Sequence, residues 1–330
     1  MYFNEINDSG LNNLYIDNEF SDFDREFLIP HKLSSLGPCI AIGDVNGDKL
    51  EDLYIGGSNG NIGSLYLQNN KNKFIISPQD GFKDDAMFED VSALFFDADD
   101  DKDFDLLIVS GGNEYYNGAP NYNSRVYFND GKGNFKLNLN SLLKVANCGG
   151  SGAVNDYDND GDLDIFIGCR SLAGKYPLAP NSYIFRNDGG KFVDVTNQVS
   201  PDFAQIGMVS DIKFADLDGD KINELILVGE WMPITILKFK NGQYVNITKE
   251  NKLENSTGWW NCVQIADIDK DGDLDIIGGN EGINTRLKVS EKEPLEIYAK
   301  DFDNNGAFDP IITYYNLGKK LAFGSKRSYY

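Results

Sequence analysis

The chain has 330 residues, 41% of them hydrophobic and 12% aromatic. That is enough apolar surface to bury a large domain and too much for wholesale disorder. Fifty-two acidic residues against 30 Lys and Arg give a formal charge of −22, which would repel a nucleic acid or an anionic membrane surface. No apolar run reaches the roughly 18 residues that cross a bilayer, so direct membrane insertion is not expected. The start, Met1 to Glu5, has neither the basic nor the apolar region of a signal peptide.

Residues 1–38 lie outside the repeated pattern described next and read as an opening strand or a closing segment. They hold the apolar patch Phe27-Leu28-Ile29 and the one histidine, His31, read as a surface or packing residue. From 39 to 330 one pattern recurs six times: an apolar strand, an acidic nine-residue loop, a second apolar strand and usually a hairpin. The loops are DVNGDKLED from Asp44, DADDDKDFD from Asp97, DYDNDGDLD from Asp156, DLDGDKINE from Asp216, DIDKDGDLD from Asp267 and DFDNNGAFD from Asp301. Short β-branched runs closed by glycine follow them, such as LYIGG from Leu53 and LLIVSGG from Leu106, and these read as buried strands.

Hairpins come next in the first four repeats: SLYLQNNKNKF, RVYFNDGKGNF, YIFRNDGGKF and ILKFKNGQY, with Asn-Asp-Gly and Asn-Gly turns. Four strands in about 50–60 residues is the size of a propeller blade, so an all-β propeller is predicted. In the fifth repeat RLKV from Arg286 and LEIYA from Leu295 stand in for the hairpin, and the sixth stops soon after its second strand. That gives five blades plus a partial sixth, a ring incomplete in this chain. Cys39 and Cys262 fall in strand patterns as buried thiols; Cys148 and Cys169 flank the third loop, and a disulfide between them is left open.

Each loop sets oxygen-bearing side chains at positions 1, 3, 5 and 9. These are Asp44, Asn46, Asp48 and Asp52; Asp97, Asp99, Asp101 and Asp105; Asp156, Asp158, Asp160 and Asp164. The later loops supply Asp216, Asp218, Asp220 and Glu224; Asp267, Asp269, Asp271 and Asp275; Asp301, Asp303, Asn305 and Asp309. Alternate residues of a tight loop turn toward one centre, and several hard oxygens suit Ca²⁺, which takes 6 to 8. Two carboxylates about 4 Å apart repel by about 1 kcal/mol in water and about 4 at an effective dielectric of 20. Asx turns alone would explain one such loop; six with the same spacing point to up to six Ca²⁺ ions. An EF-hand is excluded, because its bidentate Glu at position 12 is replaced here by Ile55, Ile108, Ile167, Leu227, Gly278 and Ile312. Position 6 is glycine in the third, fifth and sixth loops and Lys49, Lys102 or Lys221 in the others. If that position needs positive φ, lysine costs about 1 kcal/mol, which ranks the third and fifth loops as the best sites.

With these repeats in view the chain resembles the FG-GAP or VCBS repeats of integrin α-subunit propellers. Segments such as GDVNGDKLEDLYIGG, FFDADDDKDFDLLIVSGGNE, GEWMPIT and YAKDFDNNGAFDPI are similar to bacterial VCBS-repeat proteins related to cartilage acidic protein. The resemblance implies a propeller of about seven blades, calcium in the loops, and an extracellular or cell-surface location for a longer parent protein.

Catalytic signals are weak. Gly56-Gly57-Ser58-Asn59-Gly60 formally matches a nucleophile elbow, but a strand pattern follows it where a helix is needed, and His31 is the one histidine. The reading is a non-catalytic module that recognises a glycan or a protein; the alternative is a carbohydrate-active enzyme or its ancillary binding domain. Strand alternation puts the acidic loops on one face and the insertions 113–122, 170–180, 230–233 and 257–261 on the other. Tyr115, Tyr116, Arg170, Tyr176, Trp231, Trp259 and Trp260 are therefore the expected ligand contacts.

Overall fold

The structure, a computed structural model, describes residues 8–11, 15–282, 285, 287–290, 292–306 and 308–323, with backbone only at 139–141. Four antiparallel sets of four strands come first, each with its strands side by side in chain order, and the fourth continues by strand pairing into the pair that follows it. The first holds β1 (Ile40–Gly43), β2 (Asp52–Ile55), β3 (Ser64–Gln68) and β4 (Phe74–Ser77). The second holds β5 (Asp90–Phe96), β6 (Asp105–Ser110), β7 (Ser124–Phe128) and β8 (Lys136–Leu143). The third holds β9 (Cys148–Asn155), β10 (Asp164–Ser171), β11 (Tyr183–Asn187) and β12 (Phe192–Asp194). The fourth holds β13 (Met208–Ala215), β14 (Glu224–Met232), β15 (Thr235–Lys240) and β16 (Gln243–Asn246). A pair, β17 (Gly258–Ala266) and β18 (Asp275–Asn280), follows, then the three strands β19 (Glu296–Lys300), β20 (Asp309–Asn316) and β21 (Lys319–Ala322).

First strands of successive sheets lie against one another, β1 on β5, β5 on β9, β9 on β13 and β13 on β17. This is the radial arrangement of a propeller, in which each blade turns its first strand toward the axis. The second strands carry the core: β6 is buried at all six positions and β10 at seven of eight, as expected of strands covered by a blade on each side. Phe166 of β10 meets Phe214 of β13 edge-on at 4.9 Å between centroids, joining the third and fourth blades. The first two are joined by a buried charge pair: Arg125 of β7 donates to Asp90 of β5, which also accepts from the Tyr54 hydroxyl and the Gly57 N–H of the first blade, both at 2.8 Å. Among the described residues no strand pairing links the last sheet to the first.

The strand-loop-strand reading holds in all six repeats, and two expectations change. Of the run Leu295 to Ala299, all but Leu295 belongs to β19, which pairs with β20 across the sixth loop (Tyr298 opposite Ile311), so it begins the sixth sheet and does not complete the fifth. Arg286 lies outside the described residues, and 287–289 form no strand. The segment from 15 to 38 adds no strand either. It crosses the face opposite the acidic loops with one short helical turn, α1 (Asp22–Arg25). Cys39, Cys148 and Cys169 are buried free thiols, whereas Cys262 is exposed on β17.

Candidate metal loops and the opposite face

Each acidic loop is closed by its first residue. The position 1 carboxylate accepts the N–H of position 6 in all six: Asp44 from Lys49 (2.7 Å), Asp97 from Lys102 (3.1 Å), Asp156 from Gly161 (3.1 Å), Asp216 from Lys221 (2.9 Å), Asp267 from Gly272 (3.2 Å) and Asp301 from Gly306 (3.0 Å). The position 5 carboxylate accepts from the N–H two residues on in the first five loops, as Asp160 does from Asp162 at 3.0 Å. The acids thus build their own turns, and the same turns bring them together. Carboxylate oxygens fall within 4.8 Å of one another in Asp97, Asp99 and Asp101; in Asp156, Asp158 and Asp164; in Asp216, Asp218 and Glu224; in Asp267, Asp269 and Asp271; and in Asp301, Asp303 and Asp309. Such groups can hold a metal ion. The first loop, where Asn46 takes position 3, forms no such group of acids among the described residues.

Position 9 does a second job. It is buried in the first four loops, with Asp52 and Asp164 at 0% and Asp105 and Glu224 at 1% exposed. One of its oxygens accepts the N–H of position 2, seen for Val45, Ala98, Tyr157, Leu217, Ile268 and Phe302. The other oxygen of Asp52, Asp105 and Asp164 accepts a third-strand N–H, from Gln68, Asn129 and Asn187. Burial pushes the Asp105 and Asp164 carboxyls up to about 7 against those hydrogen bonds, with neighbouring acids adding to the rise. An anion in that position needs a nearby cation.

Position 6 has positive φ in every loop, from 70° at Lys49 to 102° at Gly161. So does position 4, which sequence reading missed: Gly47, Asp100, Asn159, Gly219, Lys270 and Asn304 lie between 59° and 77°. Lysine at position 6 therefore does not separate good loops from poor ones. Glycine sits at position 4 in the first and fourth loops and at position 6 in the third, fifth and sixth, leaving one strained residue in each. The second loop, with Asp100 and Lys102, has two, which corrects the ranking. Lys102→Gly should exceed Lys102→Ala in stability by about 1 kcal/mol in urea unfolding, since both remove the charge and only glycine relieves the φ; equal midpoints would refute it.

The opposite face is largely occupied by the chain itself. Asn18 Nδ2 donates to Glu114 (2.7 Å) and Glu89 (3.2 Å), two carboxyls that burial raises to about 7. Asp22, 0% exposed, accepts from Asn113 Nδ2 at 2.8 Å; Glu26, 1% exposed, accepts from Asn113 Nδ2 and from the N–H groups of Gly174 and Tyr176. His31 Nε2 lies 3.1 Å from Glu230, which also takes Arg170 Nε (3.1 Å) and Nη2 (2.8 Å) and the Tyr176 hydroxyl (2.8 Å). Residues 15–38 are thus a strap pinned to the first four blades. Nothing in their sequence marks them as such: Asp22 also accepts from Leu33 and Ser34 within the strap, but the partners of Asp22 and Glu26 on the blades lie some 90 to 150 residues away.

The expected ligand residues divide under this strap. Tyr176 is 0% exposed and presents no ring face to a ligand; its hydroxyl is held by Glu230 and by the Trp231 indole N–H at 2.7 Å. Trp260 packs between the fourth and fifth sheets beside Ile234 and Val263 and donates to Ser256 O. Tyr115 is half-buried against Tyr122, and Tyr116 is 72% exposed. Arg170, Trp231, Trp259 and Trp260 lie within strands β10, β14 and β17, not in loops, because those strands run on and β14 pairs with β17 at Glu230 opposite Trp259. Trp231 sits at a bulge there with φ of 59°, an outlier for so bulky a residue. Its ring lies 5.5 Å from that of Trp259, and the two edge a recess of about 560 Å³ with Asn280, Glu281, Leu287 and Leu295.

Burial lowers the His31 pKa but the Glu230 carboxylate outweighs it, and the net shift is upward; Glu230, although buried, is held down to about 2 by His31, Arg170 and Tyr176. A raised histidine stabilises the fold fully below its unfolded pKa of about 6.5 and ceases to as pH climbs through the folded value. Melting temperature should therefore fall more between pH 6 and pH 8.5 in the native chain than in His31→Gln; parallel curves would remove His31 from the strap's anchorage.

Residues 156–227 and 216–278 each match the family model of the FG-GAP-like repeat. No curated protein matches the sequence. Among solved structures the chain is similar to the biofilm matrix protein Bap1 of V. cholerae, with 15% identity and a TM-score of 0.34, over 89% of this chain and 40% of that one. It is similar also to the Dos1 propeller, with 9% identity and a TM-score of 0.36, over 72% of this chain and 65% of that one. A humanized mutant of the Chaetomium thermophilum Polycomb Repressive Complex 2, bound to the inhibitor GSK126, gives 12% identity and a TM-score of 0.37, over 88% and 67%. The chain spans less than two thirds of the first two of these structures.

Proposed function

We propose that this propeller, which carries FG-GAP-like repeats, is a calcium-loaded, non-catalytic binding scaffold of an exported protein. The observation that carries the reading is the set of five carboxylate groups drawn within 4.8 Å by one repeated turn. Their donors are all oxygens, with no Cys or His among them, which suits a hard cation; the number and spread of ligands suit Ca²⁺ over the stricter Mg²⁺. Calcium modules of extracellular type work at Kd of about 10⁻⁴ to 10⁻³ M, far above resting cytosolic levels, which supports export. Among the described residues no helix is long and apolar enough to cross a membrane.

At calcium one hundred times Kd each occupied loop would stabilise the fold by about 2.7 kcal/mol. Melting in calcium and in EGTA should differ by many degrees, with Asp160→Asn narrowing the gap; the same melting temperature in both would sink the calcium reading.

Recognition of a glycan or protein is assigned to the recess at Trp231 and Trp259. The strained backbone of Trp231 supports this, since a residue held off its preferred conformation by its surroundings marks a place where geometry has been selected. Two indoles beside amide and carboxylate groups suit stacking on a sugar ring or an aromatic hot spot. On a glycan array with calcium-loaded protein, Trp259→Ala should lose signal at unchanged melting temperature. Binding that survives this change would move the ligand site elsewhere on the face, and turnover of a polysaccharide would favour the enzyme alternative.

A further inference from the structure

We infer that the fourth loop holds its cation covalently: the Lys238 ammonium occupies the place that calcium takes in the other loops, and this loop binds no calcium. The inference rests on the calcium reading of those other loops.

Strand register puts Lys238 there. Leu225 pairs with Leu237, so the next residue of β15, Lys238, stands across from Glu224 at loop position 9. The same step from Leu53 and Tyr66, Leu106 and Tyr127, and Ile165 and Phe185 leads to Leu67, Phe128 and Arg186 in the first three sheets. Leu67 and Phe128 carry no charge. Arg186 pairs with Asp188 through two contacts of 2.9 Å and makes no ion pair with the third cluster among the described residues.

Lys238 turns inward. Its side chain is 7% exposed, and Nζ lies 2.5 Å from Asp218, 2.7 Å from Asp220 and 2.8 Å from Glu224. An ammonium has three protons, and here three carboxylates meet it. They come from positions 3, 5 and 9, the side chains that would otherwise surround an ion. Glu224 Oε1 sits off the hydrogen-bond direction and meets Nζ as an ion contact.

Glutamate at position 9 belongs to the same arrangement. Its Oε2 still accepts the Leu217 N–H at 2.7 Å, as aspartate does in the other loops. The second oxygen, which Asp52, Asp105 and Asp164 give to a third-strand N–H, lies at the ammonium instead. The added methylene carries it there. A calcium ion would have to displace a tethered cation and leave it mostly buried beside a double positive charge, which is costly on both counts.

The test is a calcium count by native mass spectrometry on the full chain and on three variants, after equilibration in calcium. Asp220→Ala should bind as many ions as the native chain, Lys238→Met one more, and Asp160→Ala, in the third loop, one fewer, alanine being used because an asparagine oxygen can still ligate calcium. Loss of one ion in Asp220→Ala would overturn the inference while keeping calcium in the other loops, as would an unchanged count in folded Lys238→Met. Should Lys238→Met fail to fold, Asp220→Ala decides alone, because its native lysine is in place. A native chain that binds no calcium at all would overturn the reading of the other loops and this inference with it.

Discussion

Burial of a carboxylate at the ninth position of the first four loops is the constraint from which the repeat's other features follow. That group joins three strands: it ends the loop after the first, begins the second, and in the first three blades accepts an N–H from the third. Its hydrogen bonds fix the loop's entry angle and the blade's register at one atom pair each. The cost is a negative charge with almost no solvent, beside three further acids or amides of the same loop. Hydrogen bonds alone do not offset it, since Asp105 and Asp164 remain raised to about 7. A cation would complete the loop. On the proposed reading, the residues that would hold an ion and the residues that pin the blade are the same.

The opposite face meets a different need. There the connections between second and third strands carry polar backbone that no neighbouring strand satisfies, and residues 15–38 supply the partners. Asp22 and Glu26 accept from Asn113, Gly174 and Tyr176, while Glu230 collects His31, Arg170 and Tyr176. Every one of these acids is buried and paired, the condition under which a buried charge is tolerated. Because the strap binds four blades at once, it couples elements that otherwise touch only their neighbours, as is usual in repeat folds. It also decides which aromatics face solvent, leaving Trp231 and Trp259 at the edge of a recess and enclosing Tyr176.

Features that repeat were legible in the sequence, and features that occur once were not. Six loops at one spacing gave the strand order and the grouping of the acids, and they raised positive φ at position 6 as a condition, because each copy tested the others. Position 4 escaped notice, since its residues (Gly, Asp, Asn and Lys) share no chemistry, only a backbone conformation. Trp231, Trp259 and Trp260 look like loop residues in sequence because strand length was judged from glycine punctuation; β14 and β17 run past it and pair with each other. The strap's contacts are long-range and unrepeated, so no period reveals them. Lys238 is invisible for a related reason: alternation shows that the third strand of each blade sends one residue toward the loop, but only register shows which.

Magnitudes decide which of the differences among loops matter. A non-glycine residue at positive φ costs on the order of 1 kcal/mol, and five of the loops carry one such residue each while the second carries two. Carboxylates a few ångströms apart repel by about 1 to 4 kcal/mol for each pair, and a loop of four acids contains six pairs. Charge therefore outweighs strain by several-fold, and the number and sign of the charges around each centre govern what it holds. Asn46 and Asn305 each remove one negative charge from the first and sixth loops, which lowers the demand for a divalent ion there. Lys238 lowers the net negative charge of the fourth by the same amount, and it does so with an ammonium standing among the acids themselves. The repeats share one backbone solution and differ in the cation it calls for.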